Sequence, residues 1–331
     1  MVRVVGLKGD GLLSHDSSEP AQDVTTIREV IRRVFPATPL TIERPREGGS
    51  TYVYRLMAAE ECFYLRVLPE EGASFRPEME VHRRLRHNGV KVPEVVYFEP
   101  YNELMRRSIM VTTEIPGAPL SQSTGLSQSE TERILVEAGE DLARINGVSV
   151  DGFGWIERGV ASGSDLQAPW PTYRAFALEF WNEDLAFLGR TVLDQSEILA
   201  LDWVVAHHAA WLQSDAGCLA HGDFDATHIY QQAGQYTGII DFGEIRGTDR
   251  WYDLGHSHFR DGEYLPFPLE PSLVRGYGKW FSLPADYLLR IRFASILINV
   301  RALSRSLQKV PLNRFIRHQL EVLRADLLAL S

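Results

Sequence analysis

The sequence predicts a mixed α+β chain in two parts, a small antiparallel-sheet lobe with one long helix and then a larger, mainly helical lobe carrying a hairpin. Three observations predict it. Residues 40–67 break into short runs rich in β-branched and aromatic residues. From residue 128 onward apolar positions recur at helical spacing. Among those helices, residues 218–243 form short apolar runs around the turn Ala233–Gly234. A chain of 331 residues suits two packed domains, and 44% hydrophobic with 24% charged residues is a globular composition.

Taken in order, residues 1–20 read as a flexible polar leader, because Lys8, Asp10 and His15 interrupt any apolar segment a signal peptide would need. The sheet lobe is expected over residues 21–116. Ile27, Val30, Ile31 and Val34 mark a short helix at 25–35. The runs TIERP, TYVYRLMA and CFYLRVL read as sequential antiparallel strands. Residues 75–88 return to a helix, with Asn88–Gly89 as its stop. Ser108–Ile115 is a strand ended by Pro116–Gly117, and residues 117–331 form the helical lobe. Helices are expected at 128–146, after Ser127 or Ser129, at 170–188 and at 195–213, and as a closing pair at 285–330.

Charge narrows the partners. The net charge is −10, and residues 121–284 carry 10 Lys/Arg against 24 Asp/Glu. Nucleic acid and anionic membrane both call for a basic face, so neither is expected as partner. A small cationic ligand is admitted; acidity for solubility is the alternative. The most apolar stretch, Phe293–Val300, is broken by Asn299 and followed by Arg301, too short to span a bilayer. Two cysteines, Cys62 and Cys218, suit reduced thiols in a cytoplasm. A monomer or weak dimer is expected.

The chemistry concentrates at 219–243. His221-Gly222-Asp223 is followed by His228, then by Ile-Ile-Asp241-Phe242-Gly243. Each half sets a carboxylate at the end of an apolar strand. Phosphoryl transfer needs such a layout: one carboxylate to accept or orient the proton of an attacking hydroxyl, another to hold the magnesium on the nucleotide phosphates. Adjacent strand ends would set the two carboxylates roughly 5–8 Å apart, since neighbouring strands lie about 4.8 Å apart.

These residues resemble the signature of the aminoglycoside phosphotransferase and choline kinase superfamily. Asp249-Arg-Trp-Tyr-Asp253-Leu is similar to that family's Asp-Pro-x-x-Asp-Leu segment, with Arg250 in place of proline. The resemblance implies a bilobal protein-kinase-like fold, Mg²⁺, and ATP or GTP as phosphate donor. It implies Asp223 as catalytic base, His221 as support for its loop, Asp241 as principal metal ligand and Asp253 as a buried brace. His228 stands where most members carry Asn. Imidazole suits hard Mg²⁺ less well than an amide oxygen, although kinases acting at the 2″ position of aminoglycosides and macrolide kinases also carry His there. Direct and water-mediated contact are both open.

Further residues follow. Glu47-Gly48-Gly49-Ser50-Thr51 reads as a phosphate-covering loop or a plain hairpin, with Gly49 and Ser50 at its tip. Arg66 aligns with the family's strand-three lysine and Glu78 with its helix partner, Glu80 being the alternative. Thr113 and Ile115 fall on the family's hinge, where backbone groups bind a purine. For the substrate, Glu179 and Glu183 lie at i,i+4 on the expected helix 170–188, and Asp225 and Glu244 are candidates for an ammonium-binding rim. Val150–Gly154 followed by Trp170–Tyr173 is similar to hygromycin-type antibiotic kinases. His256 and His258 face different directions on a helix starting at Asp253 and read as structural, as do His207 and His208 in mid-helix.

The expected function is therefore a kinase for a hydroxyl of a small cationic molecule, an aminoglycoside-type antibiotic first. A metabolic kinase for choline, homoserine or a sugar alcohol, and a nucleotide-binding pseudokinase module, are the alternatives. A protein kinase is not expected: 11 residues between Asp241 and Asp253 leave no room for a peptide-gripping activation loop.

Overall fold

A computed structural model describes residues 24–36, 40–44, 51–159, 165–214, 216–263, 265 and 268–331. The expected leader at 1–20 and the Gly49–Ser50 tip lie outside them. The chain divides into two compact units. One takes the described residues as far as His87, with Val92–Glu114 and residues 157–165; the other takes Asn88–Lys91, Ile115–Ile156 and Leu166–Ser331.

The first unit is built on a five-stranded antiparallel sheet. Helix α1 (Val24–Val34) precedes β1 (Leu40–Glu43), β2 (Tyr52–Ala58) and β3 (Glu61–Val67); α2 (Arg76–His87), β4 (Val95–Asn102) and β5 (Arg107–Thr113) follow. The strand order is β1-β2-β3-β5-β4. Strict alternation along β2 and β3 turns Tyr54, Leu56, Leu65 and Val67 to one face, where they pack with Ile27, Val30 and Ile31 of α1. On a second, smaller cluster Leu68, Phe75 and Met110 pack together near the start of α2.

The second unit is mainly helical, as expected, but it also holds two small sheets. Its elements are β6 (Ala118–Pro119), α3 (Gln128–Asn146), β7 (Ser149–Val150), β8 (Gly154–Trp155), α4 (Tyr173–Ala177), α5 (Trp181–Leu188), α6 (Gln195–His207), β9 (Gly217–Ala220), β10 (Ile229–Gln232), β11 (Gln235–Ile239) and β12 (Arg246–Thr248), then α7 (Tyr252–Arg260), α8 (Glu270–Tyr277), α9 (Tyr287–Lys309) and α10 (Arg314–Leu330). Strands order as β11-β10-β6 and β7-β9-β12-β8. Ser127, not Ser129, caps α3, in a capping box with Glu130. The helical core gathers Leu185, Leu188, Leu201, Val204, Ile296 and Leu323 from α5, α6, α9 and α10.

Two expectations need correction. The helix expected at 170–188 is two helices, α4 and α5, separated by a tight turn at Leu178–Phe180, whose bonds run from Glu179 N–H to Phe176 O and from Trp181 N–H to Leu178 O. Tertiary contacts hold the break: Trp181 donates its indole N–H to Asp202 at 3.0 Å, and the Arg301 guanidinium lies 3.9 Å from the Phe180 ring. His207 and His208 end α6 rather than sitting inside it, with His208 stacked on Trp211 at 4.1 Å.

Helix α7 packs on α9 along Gly255. A Cβ there would lie 2.7 Å from the Ala294 methyl and 2.8 Å from the Ser295 amide nitrogen. Only glycine permits so close a crossing.

Candidate active site

The loop from His221 to His228 links β9 to β10 and is fastened from beneath by Asp253. That carboxylate is fully buried. It accepts the amide N–H of His221 and of Gly222, each at 2.9 Å, and the Asn146 side-chain amide at 3.1 Å. Tyr277 donates its hydroxyl to Asn146 and so fixes that amide. Gly222 takes φ +89°, and a Cβ on it would meet Glu244 O at 1.9 Å, so the turn into Asp223 requires glycine.

His221 is buried inside the loop. Its Nε2–H donates to Ile240 O at 2.8 Å, which leaves Nδ1 to accept the Asp223 amide at 3.3 Å. Both roles belong to a neutral ring, and burial lowers the His221 pKa accordingly. The bond to Ile240 also ties the loop to the chain just before Asp241.

Asp223 and Asp241 do not sit on neighbouring strands of one sheet, contrary to expectation. Asp223 follows β9 and Asp241 follows β11, which lie in different sheets. Cross-links tie the two segments together: His221 to Ile240, and the Ile240 amide to His228 O at 3.1 Å. His228 stands between the two carboxylates. Its Nδ1–H donates to Asp223 O at 2.7 Å, and its Nε2 lies 3.9 Å from Asp241 Oδ2. Burial opposes a charge on His228, but Asp223, Asp225 and Asp241 outweigh it and raise its pKa. For Asp223, burial works against ionisation, while His256, His228, His221 and Arg260 outweigh it and lower its pKa. Asp241 adopts φ +65°, a left-handed conformation that Asp tolerates, and its side chain is half-exposed.

The four acidic substrate candidates fare differently. Asp225 is buried, and its Oδ1 accepts the Thr227 amide at 2.7 Å and the Thr227 hydroxyl at 2.5 Å. Its Oδ2 lies 3.4 Å from Arg260. It shapes the loop and forms no rim. Glu244 is paired with Arg246 at 3.0 Å, whose guanidinium also packs over Trp155 at 3.7 Å, so this carboxylate is engaged internally. Glu179 falls in the turn between α4 and α5, so it and Glu183 are not i,i+4 neighbours on one helix, although both are exposed.

In the first unit, Arg66 on β3 forms an ion pair with Glu78 of α2, and its guanidinium lies 5.2 Å from the Phe75 ring. Glu78 is buried. Glu80, the alternative partner, is bound by Arg83 and Arg84 of its own helix. The Thr113 amide donates to Glu94 O at 2.9 Å. Ile115 begins a stretch of the second unit.

Residues 41–293, more than half of the sequence, match the phosphotransferase enzyme family. The chain belongs to that family. It is a phosphotransferase with a hydroxyl acceptor. Its fold is that of solved aminoglycoside phosphotransferases. A crystal structure of APH(4)-Ia superposes with a TM-score of 0.64 at 17% identity, over 92% of this chain and 98% of that one. A thermostable APH(4)-Ia mutant in a ternary complex with ADP and hygromycin B gives 0.64 at 16% identity, over the same shares. The GDP and kanamycin complex of APH(2")-IIia gives 0.60 at 17% identity, over 91% of this chain and 97% of that one. No curated protein matches the sequence.

In this phosphotransferase one functional neighbourhood escaped the sequence reading. His256 was expected to be structural, yet its Nε2 lies 3.3 Å from Asp223 Oδ1. His258 does point elsewhere, to Glu270 and to Asp326. The available signal was spacing: His256 lies three residues after Asp253, on the face of α7 that carries the loop.

Proposed function

We propose that this phosphotransferase moves the γ-phosphoryl group of ATP or GTP to a hydroxyl of a small cationic substrate of aminoglycoside type. The observation that carries the reading is the placement of His228, bonded to the Asp223 backbone on one side and facing the Asp241 carboxylate on the other. Asp223, ionised and partly exposed, is the base that takes the proton of the acceptor hydroxyl. Asp241 and His228 would hold Mg²⁺. The donor set fits that ion: Nδ1–H is committed to a carbonyl, so the lone pair of a deprotonated ring is on Nε2, toward a half-exposed carboxylate. Mg²⁺ takes one or two protein carboxylates and otherwise keeps phosphate and water. Bound there, the ion would neutralise charge on the phosphates.

In the first unit Arg66, held by Glu78, supplies a fixed positive charge for nucleotide phosphate. ADP in the APH(4)-Ia complex and GDP in the APH(2")-IIia complex support a purine nucleotide donor of either base. Hygromycin B and kanamycin in those complexes support a cationic aminoglycoside acceptor, as does the excess of acidic residues at 121–284.

Incubation of the purified protein with Mg-ATP or Mg-GTP and a panel of aminoglycosides, choline, homoserine and sugar alcohols tests the reading by mass spectrometry of the acceptors. A phosphorylated aminoglycoside is the expected product. Phosphate on choline or a sugar alcohol alone would replace the acceptor and keep the transfer. Nucleotide binding without any product would leave a binding module instead.

A further inference from the structure

Helix α7 touches the catalytic loop at three successive positions of one face. Asp253, His256 and Arg260 lie at i, i+3 and i+7. Asp253 receives the amides of His221 and Gly222, His256 stands 3.3 Å from Asp223 Oδ1, and Arg260 Nε stands 3.4 Å from Asp225 Oδ2. The first contact fixes backbone, and the second reaches the reacting carboxylate itself.

We propose that His256 is a positioning residue for Asp223, holding Oδ1 through its Nε2–H so that Oδ2 is presented to the acceptor hydroxyl. The inference rests on the assignment of Asp223 as base and adds the group that aims it.

The need for such a group is geometric. The Asp223 side chain is 43% exposed and turns about two bonds. Left to itself it would sample several rotamers, and a misplacement of about 1 Å can cost about 10²-fold in rate. His256 is suited to suppress that motion. Its ring is 8% exposed and packs edge-on against Phe259 at 4.9 Å. Its Nδ1 lies 3.3 Å from Phe224 O, so this carbonyl and Asp223 Oδ1 compete for the proton of the ring. A neutral imidazole carries one proton, and a bond to a carboxylate is roughly twice as strong as one to a neutral carbonyl, so the proton belongs on Nε2. A separation of 3.3 Å has room to shorten, as such contacts do when substrate binds.

A purely packing role would be met by any apolar side chain of similar volume, and this separates the two accounts. His256→Leu keeps the volume and removes the donor, whereas His256→Gln keeps an amide N–H at comparable reach. Steady-state kinetics and thermal midpoints should be read for both. His256→Leu is expected to lower kcat by about 10- to 100-fold, with the nucleotide KM within about twofold of wild type and the midpoint nearly unchanged. His256→Gln is expected to recover most of that loss. Wild-type kcat in His256→Leu, or equal losses in both variants at equal midpoints, overturns the proposal. Should the leucine variant not fold, His256→Asn replaces it: its amide is too short to reach Asp223, and wild-type kcat there is equally fatal. Should the wild-type protein transfer phosphate to nothing, the base assignment is what fails. Crystal structures of wild type and His256→Gln or His256→Asn then decide the positioning claim, which an unmoved Asp223 carboxylate in the asparagine variant would defeat.

Discussion

Asp223 and Asp225 are two residues apart in one loop and have opposite surroundings. The Asp223 side chain is 43% exposed and faces the His256 ring nitrogen, whereas Asp225 is 3% exposed and binds Thr227 twice, with Arg260 beside it. A carboxylate kept for chemistry needs an oxygen left open, and a carboxylate kept for architecture needs both oxygens occupied. Composition alone cannot tell them apart, since both are aspartates in the same turn.

The sharpest way to break that contrast is Asp223→Asn. Removing the proposed general base should lower kcat by about 10²- to 10⁴-fold while leaving the thermal midpoint and nucleotide affinity near wild type; retained turnover would move the base elsewhere. Asp225→Ala should do the reverse. It strips a buried partner from Arg260 and the one oxygen that accepts both the amide and the hydroxyl of Thr227, at a cost of about 3 kcal/mol in stability by urea unfolding. If instead it folds normally and loses only activity, the architectural assignment is wrong.

A third setting extends the comparison to a carboxylate whose partner titrates. Asp326 is fully buried and binds His258 at 3.0 Å, Arg292 at 2.9 Å and Ser295 at 2.7 Å. Burial opposes a charge on His258, but Asp326 and Glu270 outweigh it and push its pKa up to about 9. The raised value means that the stabilisation is complete below the ordinary histidine value near 6.5 and fades as pH climbs through about 9, a loss on the order of 3 kcal/mol. Unfolding free energies at pH 6 and pH 10 should show that fall, and His258→Gln should flatten it. The smallest effect belongs to Ser127→Ala, which removes the cap of α3 and should cost about 1 kcal/mol; it serves as a control for helix stability away from the loop.

Much of this was legible in the sequence. The α1, α2 and α3 helices, the closing pair α9 and α10, and the strands β2 and β3 all follow from periodicity and stop signals. The Asp223, Asp241 and Asp253 motif also stood out. What was not legible depended on contacts distant in the chain. Phe180 and Trp181 read as helix, and only Arg301 and Asp202 explain why the helix breaks there. Glu244 read as a rim charge because Arg246 beside it had no visible orientation. The two strands bearing Asp223 and Asp241 read as neighbours, since pairing by way of β10 and β12 leaves no local signature.

Gly255 has a wider bearing than its size suggests. It lets α7 nestle against α9, and the same helix carries the residues that contact the His221–Asp223 turn. A methyl group introduced there would lever the helix outward and carry Asp253 and His256 with it. Reaction rate and internal fit of the second unit are thus mechanically joined, and a remote change in packing would be felt as a defect in turnover.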